Sequence, residues 1–99
     1  MIAKVELMKK VEMFYLKNCP YCIKAMRFLD ELKQADERYT NINITMIEES
    51  EQKELANSRD YYYVPTFYVD GKKIFEGAPK VSDIQNVLDT ALKIISVER

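Results

Sequence analysis

Hydrophobic and polar positions change their period several times along the chain, and each change marks an element. Residues Val11 to Leu16, "VEMFYL", form an apolar, aromatic-rich run of the kind a buried strand carries. The preceding "KVELMKK" reads as an early extension of that strand or as a loose arm. From Pro20 to about Lys33 the period lengthens, and Cys22, Ala25, Met26, Leu29 and Leu32 fall on one helical face. Pro20 suits the first helical turn, where its missing N–H costs nothing. Residues 41–47, "NINITMI", alternate and are rich in Ile and Thr, which predicts a second strand. "EESEQKELANSR" follows with a thin apolar face; its acidic start and later Lys53 and Arg59 complement a helix dipole. "PTFYVDGKKIFEG" predicts a hairpin with strands at 66–69 and 72–76 and Asp70-Gly71 as its two-residue turn. Finally, Ile84, Val87, Leu88, Ala91, Leu92 and Ile95 mark a strongly amphipathic helix, with Ser82 and Gln85 fitting a capping box at its start.

The predicted order is therefore β-α-β-α-β-β-α, an α/β fold. Its first βαβ unit should be right-handed with parallel strands. The hairpin adds antiparallel strands, and three helices should cover both faces of one mixed four-stranded sheet. A chain of 99 residues suits one domain, residues 1–99.

Composition narrows the function. The chain is 47% hydrophobic and 31% charged, as in an ordinary soluble globular protein. Its net charge of −1, from 15 basic and 16 acidic side chains, argues against a nucleic-acid partner held by a positive field. The apolar runs are far too short to span a bilayer, and the charged N-terminal stretch holds no signal-like apolar segment. A cytoplasmic protein with no membrane partner is expected. There are 2 cysteines, too few for a disulfide-stabilised secreted scaffold. No histidine is present, which removes the usual transition-metal ligand and the usual general base near neutral pH. Chemistry falls to thiols, carboxylates, lysines, tyrosines and the backbone.

Both cysteines lie in "YLKNCPYCIKAM". Cys19 falls where the strand ends and the helix begins. There the unpaired backbone N–H groups and the positive end of the helix dipole favour a thiolate, with Lys17 and Lys24 adding to the positive surroundings. Cys22 lies one helical turn later, within reach of Cys19 and better placed to resolve a mixed disulfide. Redox exchange is the reading this arrangement favours. The alternatives are a structural disulfide, whose short loop gains little from crosslinking, and a zinc or iron–sulfur site, which needs ligands from a second chain.

With a strand, CPYC, a helix and then Val64-Pro65-Thr66 before a hairpin, the chain resembles the glutaredoxin–thioredoxin family from about Val11 to Leu92. CPYC is the dithiol glutaredoxin sequence, and the basic residue and alanine after Cys22 are also glutaredoxin-like. The resemblance implies a thioredoxin fold and a thiol–disulfide oxidoreductase. Cys19 is implied as nucleophile and Cys22 as resolving thiol. Pro65 would be a cis-proline facing the pair, and Val64 would offer its backbone N–H and C=O to an extended thiol substrate, as an added strand does. Tyr21 would shape the cleft wall, and Lys17 would attract a substrate carboxylate. No tightly bound cofactor is implied. The expected partners are disulfide-containing proteins, with glutathione or a thioredoxin reductase as electron donor, and the expected state is a monomer.

The likeness has departures. The glutaredoxin basic residue three before the first cysteine is replaced by Leu16, with Lys17 following. A glycine pair that lets glutathione approach the backbone is replaced by Phe75 and Glu76, and Glu76 is expected to repel an anionic ligand. "VPTF" and the segment after Gly77 are thioredoxin-like, yet thioredoxin's buried acid is replaced by Met13 and the chain has no tryptophan. Of Tyr61, Tyr62 and Tyr63, packing roles are favoured over lining the cleft.

Overall fold

The computed structural model describes residues 2–98, with side chains placed from Lys9 to Leu92. The elements are β1 (Ile2–Met8), β2 (Val11–Tyr15), α1 (Pro20–Ala35), a 3-10 turn (Glu37–Tyr39), β3 (Ile44–Glu48), α2 (Lys53–Asn57), β4 (Thr66–Val69), β5 (Lys72–Glu76), α3 (Val81–Ala91) and β6 (Leu92–Glu98). From β2 to α3 this is the β-α-β-α-β-β-α order expected.

The main sheet has the order β3-β2-β4-β5. β2 and β3 run parallel, from Val11 opposite Ile44 to Tyr15 opposite Glu48. β4 is antiparallel to both β2 and β5. Consequently β2, β3 and β5 finish, and β4 begins, at the same end of the sheet. Tyr15, Glu48, Thr66 and Glu76 mark that end.

Strand alternation divides the core between the two faces. Val11, Met13, Phe67 and Val69 pack with Cys22, Ala25 and Leu29 of α1 and with Ile84, Val87, Leu88 and Ala91 of α3. Phe14, Ile47 and Tyr68 pack on the opposite face with Ala56 of α2. Helices thus cover both faces, as the pattern predicts. The hairpin turn is also as expected: Asp70 at φ 50° and Gly71 at φ 82° adopt the left-handed conformations such a turn requires. The Lys10 N–H donates to Asp70 Oδ1 at 2.9 Å and the Asp70 N–H donates to the Lys10 carbonyl at 2.8 Å, tying the turn to the start of β2.

Three local expectations change. The last helix stops at Ala91, and Leu92 is extended at φ −79°, ψ 133°. Leu92 and Ile95 therefore belong to a strand, β6, which pairs antiparallel with β1 in a separate two-stranded sheet. The physical reason is that "LKIISVE" is rich in β-branched residues and has a partner strand in "IAKVELM"; helical spacing within so short a run does not exclude a strand. The same pairing makes residues 2–8 a strand of their own rather than an extension of β2. The cap of α3 also moves. The Lys80 N–H donates to Asp83 Oδ2 at 2.9 Å, so the helix starts at Val81, before the predicted Ser82, because the Asp83 carboxylate reaches back. An unexpected element is the 3-10 turn, which carries Tyr39 into the main core, its hydroxyl donating to Asp89.

Among the described residues no helix is long and apolar enough to cross a membrane.

Candidate active site

The end of the sheet where four strand termini meet is also where α1 begins. After Tyr15 the chain turns through Leu16–Asn18, and the Cys19 N–H donates to the Leu16 carbonyl at 3.2 Å. Cys19 is the N-cap of α1, extended at φ −75°, ψ 120°, with Pro20 next in the helix. No side chain caps this end and the first turn holds no acidic residue. The positive end of a 16-residue helix is thus left to whatever lies there, which here is the Cys19 thiol.

Cys22 faces inward. It is fully buried in the cluster that contains Met13. Burial pushes its thiol up to about 12; a backbone contact with Leu16 works against this, and the neighbouring Cys19 adds to it. One turn of helix therefore separates a partly exposed thiol at the helix end from a buried, protonated one. Both are free thiols.

Across from α1, the Val64–Pro65 bond is cis. Cys19 Sγ lies 4.0 Å from the Val64 carbonyl oxygen. Pro65 is fully buried behind it. The structure thus brings together Cys19, Cys22, Val64 and Pro65, all singled out from sequence. Beside Cys19 opens a cavity of about 510 Å³ lined by Leu16, Lys17, Asn18, Cys19, Glu48 and Ser50.

The remaining expected residues are less committed. Lys17 is on the rim of that cavity, but its ammonium pairs with Glu51 at 2.5 Å. Lys24 lies instead with its ammonium 5.8 Å from the centre of the Phe28 ring. Tyr21 is half exposed at the helix start. Of the three consecutive tyrosines only Tyr61 packs, against Phe14 at a ring separation of 5.2 Å, with its hydroxyl donating to Glu49 at 2.6 Å. Tyr62 and Tyr63 are 84% and 68% exposed, so the expected packing role fails for them. Tyr62 and Tyr63 thus stand exposed between the packed Tyr61 and the buried Pro65.

Two carboxylates were not singled out as holding the site together. Glu48, at the end of β3, is buried and accepts from the Lys17 N–H at 3.1 Å, the Ser50 N–H at 2.6 Å and the Ser50 hydroxyl at 2.6 Å. These bonds, the Ser50 hydroxyl foremost, hold its carboxyl below the usual carboxylate range. Glu76, at the end of β5, accepts from the Tyr62 N–H at 2.8 Å, the Tyr63 N–H at 3.0 Å and Lys73 Nζ at 2.6 Å. Lys73 first, then the Tyr62 N–H, pull its carboxyl down to about 2. Sequence contained one signal for Glu76: it stands where the family resemblance leads one to expect glycine. Glu48 left only a serine two residues on. Among the described residues no group of three or more His, Cys, Asp or Glu side chains gathers to hold a metal ion.

The family model for glutaredoxin matches residues 11–74, more than half of the chain. No curated protein matches the sequence significantly. Among solved structures, the fold is similar to oxidised thioredoxin from Plasmodium falciparum, with a TM-score of 0.63 at 19% identity, covering 85% of this chain and 81% of that one. It is also similar to a mutant thioredoxin from Halobacterium salinarum NRC-1, at 0.63 and 17% identity over 90% of this chain and 79% of that one. Reduced desulfothioredoxin from Desulfovibrio vulgaris Hildenborough gives 0.62 at 23% identity, over 85% and 82%. Identities this low speak for the fold alone, which is that of thioredoxin.

Proposed function

We propose that this chain, which belongs to the glutaredoxin family, is an enzyme that reduces disulfides through a dithiol cycle of Cys19 and Cys22. One observation carries the reading: a thiol at the N-cap of α1 lies 4.0 Å from the Val64 carbonyl, with a second thiol buried one turn behind it.

The Cys19 thiolate attacks one sulfur of the substrate disulfide. A Cys19–substrate bond forms, the substrate S–S bond breaks, and the departing sulfur takes up a proton. Cys22 then loses its proton and attacks Cys19 Sγ. The internal disulfide forms and the second substrate thiol leaves. Two electrons pass from the thiol pair to the substrate, and the Cys22 proton goes out with the second departing sulfur. Met13 lies in the cluster with Cys22 where a buried acid would otherwise take that proton, which favours the substrate sulfur as acceptor.

The oxidised pair is returned to dithiol by glutathione or by a thioredoxin reductase. The surroundings of Cys19 favour the second donor. The buried Glu48 lines the cavity beside it, and Glu51 already holds the Lys17 ammonium that would attract a carboxylate. Glutathione carries two carboxylates into such a site, and like charges at close range oppose binding. Disulfide-containing polypeptides, acted on by a monomer in the cytoplasm, are the substrate class this reading takes.

A coupled NADPH-oxidation assay on a small disulfide tests it, with glutathione and glutathione reductase in one arm and thioredoxin reductase in the other. Turnover is expected, faster in the second arm; silence in both arms would overturn the proposal. Cys22→Ser should accumulate a mixed disulfide with substrate, and Cys19→Ser should accumulate none.

A further inference from the structure

The backbone of the segment opposite Cys19 is hydrogen-bonded on both sides of Val64. The Tyr62 and Tyr63 N–H groups both donate to Glu76 Oε2, at 2.8 and 3.0 Å. The Tyr63 carbonyl accepts from the Thr66 hydroxyl. The Pro65 carbonyl accepts from the Gly77 N–H at 3.0 Å. Lys73 Nζ, itself held by Glu76 Oε1 at 2.6 Å, donates to the Asp60 carbonyl at 3.2 Å. Between these anchors the Val64 N–H has no partner among the described residues, and the Val64 carbonyl faces the Cys19 thiol.

We propose that Glu76 is a positioning residue for disulfide exchange, whose carboxylate fixes the Tyr62–Tyr63 backbone so that Val64 is presented to an extended polypeptide at Cys19. The inference rests on the oxidoreductase reading above. Several features carry it independently of that reading's chemistry. Two adjacent N–H groups aimed at one carboxylate oxygen form a charge-assisted pair, stronger than bonds to a neutral acceptor. Tyr62 and Tyr63 are highly exposed, so side-chain packing does not hold this stretch. Without the carboxylate the Tyr62 and Tyr63 N–H groups would lose their acceptor, and the stretch would be held only at its flanks, by the bonds at Asp60 O, Tyr63 O and Pro65 O and the packing of Tyr61 and Val64. Glu76 also comes from the edge strand β5, whose pairing with β4 fixes it relative to Thr66. The carboxylate thereby transmits the register of the sheet to the loop. Preorganising an acceptor strand in this way spares the ordering cost that a substrate would otherwise meet.

The consequence is selective. A substrate that pairs with the Val64 backbone depends on the loop; a small disulfide without amide groups does not. The test uses the pre-reduced protein in single turnover, with no reductase present, on an extended disulfide-linked peptide and on bis(2-hydroxyethyl) disulfide. Glu76→Ala is expected to lower the rate constant for the peptide about ten-fold and to leave that for the small disulfide within about two-fold. Glu76→Gln keeps an oxygen acceptor for the two N–H groups and should restore the peptide rate to within about three-fold of the unmodified chain. Equal losses on both disulfides, or no loss on either, would overturn the role of Glu76 while leaving the oxidoreductase reading intact. An unmodified chain that reduces neither disulfide would overturn that reading, and this inference with it.

Discussion

Cys19 and Cys22 are separated by three positions in the sequence and by a large difference in environment. Cys19 caps a helix and is partly exposed; Cys22 is fully buried, and burial raises its thiol to about 12. The spacing was legible in the sequence because a helix places every third or fourth residue on one face. The place of Cys22 on the apolar face of α1 was legible too; its complete burial was not, since that depends on the cluster it shares with Met13 and the residues of α3. A limiting alkylating agent at mildly acidic pH should label Cys19 and spare Cys22, read by mass spectrometry of the digested protein. Equal labelling would contradict the separate roles. Raised in the folded state, the Cys22 thiol favours folding fully below about pH 9, its unperturbed value. That contribution is lost as pH rises through about 12. Alkylation of the buried Cys22 by an external reagent at neutral pH therefore reports unfolding or opening of the helix end.

At the level of elements, β2 does more than fill the core. Its alternation sends Glu12 to the face that carries α2, where the carboxylate is buried. Arg59 pairs with it through two bonds of 2.8 Å and lies 5.2 Å from the centres of both the Phe14 and the Tyr68 rings. The pair joins the central strand to the segment after α2, a helix of only 5 residues that has little apolar surface of its own. Sequence suggested Arg59 as a helix-end charge; the fold uses it as the partner of a buried acid. Glu12→Gln should cost roughly 2–3 kcal/mol in denaturant unfolding, because it leaves the guanidinium short of its anion. The Arg59 bonds hold the Glu12 carboxyl below its usual 4.5, so the pair stabilises the fold above about pH 4.5 and ceases to do so as pH falls through the lower folded value. Acid unfolding of the unmodified chain should be steeper than that of Glu12→Gln, measured by circular dichroism between pH 5 and pH 2. The helix α3 shows the opposite kind of legibility. Ile84, Val87, Leu88 and Ala91 were read correctly as its buried face, but its end was overrun, because a strand pairing from the other end of the chain competes for the next residues.

Across the whole molecule, the sheet β3-β2-β4-β5 and its helices are distinct from the ribbon of β1 and β6. The ribbon joins the rest at the Lys9 N–H, which donates to the Ala91 carbonyl at 2.9 Å. The site lies where β2, β3 and β5 finish and β4 begins, on elements outside the ribbon. Removing residues 1–8 and 93–99 should leave the alkylation rate of Cys19 within about two-fold, since its surroundings come from β2, α1 and the Val64 segment. A larger change would show that the ribbon supports the site. By itself the sequence determined the strand-to-helix junction at Cys19, the hairpin at Asp70-Gly71, the mixed sheet and the placing of two thiols one helical turn apart, because each follows from local periodicity, turn residues or the spacing of the cysteines. Only the tertiary structure decided how deep Cys22 lies, that Lys17 is taken by Glu51, and that Glu48 and Glu76 hold the loops on either side of Cys19. Those outcomes depend on which distant groups the sheet register brings within hydrogen-bonding range, and no local pattern encodes a contact between residues 14 or 31 positions apart.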